Sequence, residues 1–164
     1  MDVRIEDLPE MRVAVVLHSG PYNTITSAFT KLAEIAGPAG LFGQPTTRMI
    51  AIYYDDPESK SVELLRSAAG LTVSSDTALP SQLTEVRLPA GRWACAIHQG
   101  SYGSLGTAWQ RMLGEWLPSS GLRRGSGECF EQYLNTPAEV HEEDLRTLLY
   151  VPIQAEERLA FSAQ

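Results

Sequence analysis

The stretch "HSGPYNTITSAF" at 18–29 returns as "HQGSYGSLGTAW" at 98–109, so one strand exit, glycine turn and helix opening occurs twice in the chain. Shifting the sequence by 80 positions extends the match without a gap. Leu8-Pro9 falls on Leu88-Pro89, Ala14 on Ala94, Tyr22 on Tyr102, Ala28 on Ala108 and Pro38 on Pro118. The register survives the loops, with Tyr53 on Tyr133, Pro57 on Pro137 and Leu65-Arg66 on Leu145-Arg146. Conservative pairs fill the intervals, among them Ile25 with Leu105 and Phe29 with Trp109. This pattern predicts a tandem duplication inside one domain, 1–154, with repeats at about 1–79 and 80–154 and a short tail at 155–164.

Each repeat reads as strand, helix, strand, strand. Alternation in "RVAVVLH" sets Val13, Val15 and Leu17 against Ala14 and Val16, and "RWACAIH" sets Trp93, Cys95 and Ile97 against Ala94 and Ala96. After the glycines, Ile25, Ala28, Phe29, Leu32 and Ala36 recur at helical spacing, as do Leu105, Ala108, Trp109, Met112 and Trp116. Asn23 or Thr24, and Ser104, are candidate caps for these helices. The third elements are "MIAIYYDDP" and "CFEQYLNTP", the fourth "LTVSS" and "LLYVPI", and "LPSQLTEVRLPAG" reads as the link between repeats. The predicted fold class is α+β, with two pseudo-twofold-related halves whose antiparallel sheets enclose a central cleft. One helix covers one sheet face, so the second copy supplies a partner for the other. If the helices lie on the large residues, the small faces bearing Ala14, Ala94 and Ala96 oppose each other and leave a ligand cleft.

Composition excludes several classes. Apolar residues make up 43 % and charged residues 20 %, which is globular, and no apolar run approaches the roughly 20 residues that span a bilayer. The acidic start "MDVRIEDLPE" has no basic n-region, so the expected location is the cytoplasm. A net charge of −7 with one adjacent basic pair, Arg123-Arg124, opposes binding to nucleic acid phosphates. Cys95 and Cys129 lack metal spacing and are expected as reduced, packed thiols. "GPAGLFG" contains no G-K-[ST], and no serine stands in a nucleophile elbow, so neither a nucleotide enzyme nor a serine hydrolase is supported. No cofactor and no metal are expected. His18 and His98 each end a strand before a glycine turn and are read as turn hydrogen-bonders.

The paired H-x-G-x-Y turns, "IYYDDP" and "FEQYLNTP", and the closing "YVPI" resemble the GyrI-like small-molecule-binding domains. These also occur as effector-binding domains of multidrug-responsive regulators and as free-standing proteins named for inhibition of DNA gyrase. The resemblance implies two strand-helix-strand-strand modules around a ligand cleft. It also implies two chemistries known in the family: binding of hydrophobic cations against a buried glutamate, and hydrolysis of cyclopropane-bearing genotoxic natural products. The first repeat starts almost at residue 1, ahead of which the regulators carry a helix-turn-helix, so a transcription factor is not expected.

Glu131 is the leading site candidate. It shares a strand face with Tyr133, its repeat mate is Ala51, and the resembled family keeps its ligand-contacting glutamate in this strand. A buried carboxylate needs a partner or a raised pKa, so it would meet a cation or serve as acid or base. Tyr53, Tyr133, Tyr150, Tyr22, Tyr102 and Trp109 are the candidate aromatic walls. Phe29, Trp116 and Trp93 are assigned to the core. Three functions follow: capture of an aromatic, cationic or electrophilic compound; hydrolysis of a strained ring with Glu131 as acid or base; and docking on DNA gyrase.

Overall fold

The structure, a computed structural model, describes residues 1–155. The predicted tail at 155–164 therefore lies outside the described residues apart from its first position. The chain forms β1 (Val3–Leu8), β2 (Met11–Ser19), α1 (Thr26–Ala36), β3 (Met49–Tyr53), β4 (Arg66–Val73), β5 (Thr84–Leu88) and β6 (Gly91–Gln99). There follow α2 (Leu105–Arg111), a π-helical turn at Met112–Trp116, α3 (Leu117–Ser120), β7 (Cys129–Tyr133) and β8 (Arg146–Ile153). Among the described residues no helix is long and apolar enough to cross a membrane.

All eight strands join one antiparallel sheet in the order β1-β6-β8-β7-β3-β4-β2-β5. Two separate sheets were expected; pairing of β3 with β7 fuses them. Two further strands frame the sheet. Thr84–Leu88, read from the sequence as part of a link, pairs with β2, and β1 pairs with β6, so each edge strand closes on the opposite half of the chain.

The assignment of faces is the reverse of the one expected. Ala14, Val16, Ala51, Ala69 and Leu71 lie beneath Ala28, Leu32 and Ala36 of α1. Ala94, Ala96, Leu149 and Val151 lie beneath Leu105, Ala108 and Met112. The small residues thus face the helices, where they let Leu32 and Met112 seat with no exposed surface. The large residues, Val13, Val15, Ile50, Ile52, Trp93, Phe130 and Tyr150, fill the far face, where the sheet curls as a half-barrel onto its own side chains. A helix must approach a sheet closely to exclude water, and alanines permit that approach, whereas a face without helices needs bulky side chains to reach interior density. Cys95 belongs to the far-face core and Cys129 to the helix-face core, so both are free and buried on opposite sides of the sheet.

The second helix runs past a proline where the first stops before one. α1 ends at Gly37, ahead of Pro38. Pro118 lies within the second helical run, just after the π turn, and lacks the N–H that a regular turn would use. The run ends at Gly121 in the left-handed conformation, φ 76°.

Gly70 checks the packing of the far face. A Cβ there would meet Val13 Cγ1 at 2.6 Å, Val15 Cγ1 at 2.8 Å and the Ala14 carbonyl oxygen at 3.1 Å. Those atoms belong to a buried strand that cannot yield freely, so Gly70→Ala should lower unfolding stability by about 1–3 kcal/mol, the usual scale for overpacking. Denaturant unfolding of both proteins measures this, and a neutral result would show that the β2–β4 packing is looser than described.

Candidate functional site

β3 and β7 are the two central strands, and α1 packs over β2 and β4 while α2 covers β6 and β8. The central pair therefore lies under the groove between the helices. Its register sets Ala51 opposite Glu131, Met49 opposite Tyr133 and Tyr53 opposite Cys129. Strand alternation turns Tyr53, Glu131 and Tyr133 to the helix side. Ala51 projects only a methyl group, so the space beside Glu131 is left to rings from elsewhere.

The two glycine turns deliver two of those rings. Gly20 (φ 119°) and Gly100 (φ 132°) take a conformation disfavoured for other residues, and the chain then winds into 3₁₀ turns at Tyr22–Thr24 and Tyr102–Ser104. His18 Nε2 lies 2.9 Å from Thr24 Oγ1, and His98 Nε2 lies 2.8 Å from Ser104 Oγ. Each hydroxyl also donates to the carbonyl three residues back, at 2.7 Å. The histidines therefore brace the turns. Ser104 stands at the N-cap of α2 and Ile25, in place of the expected Asn23 or Thr24, at that of α1, and neither helix has a side-chain cap hydrogen bond. The outcome is that Tyr22 and Tyr102, the first residues of the turns, lean over the groove. Tyr22 packs 4.7 Å from the Tyr53 ring and Tyr102 5.5 Å from the Tyr133 ring, centroid to centroid.

Glu131 is 2 % exposed. Its Oε1 accepts hydrogen bonds from the hydroxyls of Tyr53 at 2.5 Å and Tyr133 at 2.8 Å, and its Oε2 accepts one from the Trp109 indole Nε1 at 2.8 Å. All three donors are neutral. Burial lifts the Glu131 carboxyl above the usual carboxylate range, although the three hydrogen bonds and nearby His98 pull it down. Burial and the facing carboxylate hold the Tyr53 and Tyr133 hydroxyls well above the usual tyrosine range, so both stay protonated donors. Trp109 meets Tyr53 edge-on at 6.3 Å, and Phe29 meets Tyr133 edge-on at 5.6 Å. One carboxylate thus stands in an uncharged aromatic enclosure, with one oxygen doubly bonded by donors and the other singly. Such a group can attract a desolvated cation, or exchange a proton above the ordinary carboxylate range.

Of the seven residues singled out from the sequence, Glu131, Tyr53, Tyr133, Trp109, Tyr22 and Tyr102 come together here. Tyr150 does not. β8 sets Leu149 beside Glu131, so Tyr150, one residue on, points to the far face and stacks on Phe130 at 4.6 Å and 14°. Phe29, assigned to the core from its helical stripe, packs against the core beneath α1 and also meets the Tyr133 ring. Ser67 and Thr147 stand next to Tyr53 and Tyr133 in the register, and each buries a hydroxyl without a hydrogen-bond partner. Among the described residues no three His, Cys, Asp or Glu side chains gather as metal ligands.

Fold and site together define a small-molecule-binding domain. The chain belongs to the family of GyrI-like small molecule binding domains, which matches residues 1–154. It is similar to a DNA gyrase inhibitor of Edwardsiella piscicida, 33 % identical over 141 residues that cover 82 % of this chain and 88 % of the relative. Among solved structures, the C-terminal domain of EcmrR has a TM-score of 0.73 at 17 % identity, covering 94 % of this chain and 98 % of that one. SAV2435 bound to tetraphenylphosphonium has a TM-score of 0.68 at 10 % identity, covering 94 % and 95 %. At these identities the two structures establish likeness of fold.

The raised carboxyl pKa has a stability consequence with a definite sign. A folded-state pKa above the unfolded one means that the folded protein holds more protons between the two values, so stability falls as pH rises through that window. Glu131→Gln has no such titration, and its amide can face the tyrosine hydroxyls while its oxygen accepts from Trp109. Wild-type stability relative to Glu131→Gln should decline as pH climbs from the ordinary carboxylate range through the raised value and level off above it. Denaturant unfolding across that range measures the difference, and a constant offset would mean that the carboxyl is not desolvated.

Proposed function

We propose that the protein captures aromatic cations in the groove between its helices, with Glu131 as the countercharge and Tyr53, Tyr133, Trp109, Tyr22 and Tyr102 as walls. The observation that carries this reading is the buried carboxylate with three neutral donors and no cationic one among them. A ligand cation supplies the missing charge, and ring faces add about 0.5–2 kcal/mol each when water is excluded. The tetraphenylphosphonium named with SAV2435, a protein of like fold, is a ligand of this class. The expected setting is the cytoplasm.

The enclosure follows from an internal duplication in this reading, with repeats at about 1–79 and 80–154 in one domain. A shift of 80 carries Tyr22 onto Tyr102, Phe29 onto Trp109 and Tyr53 onto Tyr133. It also carries the Met49–Tyr133 pair onto Cys129–Tyr53, which is the other end of the same ladder. A pseudo-twofold axis would then pass through the Ala51–Glu131 pair, so a single carboxylate serves both halves.

A second reading is favoured by the raised carboxyl pKa. Glu131 would take a proton from water as the water oxygen bonds to a cyclopropane carbon, and the proton would pass to the carbon released when the C–C bond breaks. Ligand concentration followed over time separates turnover from stoichiometric capture. Docking on DNA gyrase is a third reading, prompted by relatives named DNA gyrase inhibitor.

Glu131→Gln tests the capture reading, because it preserves shape and removes charge. Benzyltrimethylammonium should bind it more weakly by about 1–3 kcal/mol, the scale of a charge-assisted contact, while the neutral isostere neopentylbenzene loses little. Equal losses for both, or none, would contradict the countercharge role.

A further inference from the structure

The two ends of the aromatic groove are not alike. At one end Tyr22 is fixed: its hydroxyl donates to the Asp55 carbonyl at 2.6 Å and accepts from the Asp55 N–H at 3.0 Å. The loop below is fixed too, since Asp55 pairs with Lys60 at 2.8 Å and with Arg66 at 2.9 Å. At the other end Asn135 stands in place of Asp55 and Val140 in place of Lys60, so the ion pairs have no counterpart. Tyr102 reaches the Asn135 carbonyl only at 3.5 Å and is 39 % exposed.

A depression of about 420 Å³ opens at this second end, lined by Tyr102, Gly103, Pro137, Val140, His141, Glu142 and Leu145. Two of its lining positions carry smaller residues than those 80 positions earlier in the sequence. Gly103 replaces the side chain of Asn23, and a Cβ there would meet only Ser101 Oγ, at 3.7 Å. Val140 replaces the long arm of Lys60, which at the first end crosses to Asp55. One face of the Tyr102 region borders this depression and the other packs on Tyr133, a donor to Glu131. Burial, and then the charges of Glu131 and Glu139, raise the Tyr102 hydroxyl's pKa.

We propose that the depression beside Tyr102 is a second subsite, which takes the apolar arm of an elongated aromatic cation whose charged head lies against Glu131. This assignment rests on the capture reading above. The walls Pro137, Val140 and Leu145 suit a hydrocarbon or ring, and His141 and Glu142 are the polar members of the lining. Tyr102, held by one long hydrogen bond, is the ring that turns to let the arm pass, while Tyr22 stays in place. The ligand class is therefore an amphiphilic cation with one arm.

Two probes and two variants test it. Benzyltrimethylammonium is compact; benzyldimethyloctylammonium carries the same head on an eight-carbon arm and is used below its micellar concentration. The Trp109 indole N–H, bonded to Glu131, reports on the head by NMR, and the Gly103 and Val140 amides report on the depression. Both probes should shift Trp109, and only the elongated one should shift Gly103 and Val140. Gly103→Asn and Val140→Lys install the larger residues that stand 80 positions earlier, Asn23 and Lys60. Each should weaken the elongated probe by about tenfold, equivalent to about two buried methylene groups, and leave the compact probe within about twofold. If Trp109 responds to both probes while Gly103 and Val140 respond to neither or to both alike, the subsite assignment is overturned and the Glu131 reading stands. Equal weakening of both probes by the variants also overturns it. Silence of Trp109 with both probes removes the capture reading and this one together.

Discussion

A carboxylate in the middle of a sheet is the constraint from which the rest of the site follows. Moving an isolated ionised carboxylate from water into a protein interior is prohibitive, and the group survives only with donors or a proton. Glu131 has Tyr53, Tyr133 and Trp109, drawn from the adjacent central strand, its own strand and the helix above. Those three positions must hold together for the charge to be tolerated, so strand pairing, helix placement and ring packing are tied to one side chain. Neutral donors reduce the cost without cancelling the charge. That residual charge is the physical basis for selecting a cation.

The sheet's division into small and large faces makes room for this arrangement. Alanines at 14, 69, 94 and 96 draw the helices down over β2, β4 and β6, and the central pair β3 and β7 is left between them. Had the bulky residues faced the helices, Leu32 and Met112 would stand off and the groove would be wide and wet. On the far face, Trp93, Phe130 and Tyr150 form a cluster of contacting rings that replaces a second layer of helices. Gly70 leaves the space there to Val13 and Val15.

Much of this was legible in the sequence because strand parity is local. Alternation sufficed to set Glu131 with Tyr133, and the 80-residue shift sufficed to pair Tyr22 with Tyr102 and to mark the carboxylate opposite Ala51 as the odd one out. What parity does not carry is which face receives the helices; the decision depends on approach distance between layers, and the expectation inverted it. Nor does parity carry register between strands. Tyr150 is a candidate wall by residue type alone, its segment "LLYVPI" is apolar on both faces, and only the pairing of Leu149 with Glu131 shows where it points. β5, "TEVRL", is a short edge strand whose partner lies some 70 residues away, and its polar surroundings read as a loop. The contact of Phe29 with Tyr133 was hidden by its stripe, since a residue at the border of an apolar stripe looks the same whether it meets core or groove.

The account stands on Glu131 exchanging a proton for a ligand's positive charge. Titration calorimetry with benzyltrimethylammonium, in two buffers of different ionisation enthalpy and at a pH below the raised carboxyl pKa, reads that exchange directly. The ligand cannot itself titrate, so any proton released comes from the protein. The account requires net proton release on binding by the wild type, shrinking as pH rises, and none by Glu131→Gln. Binding with no proton release at any pH, or with the same release from Glu131→Gln, would contradict it.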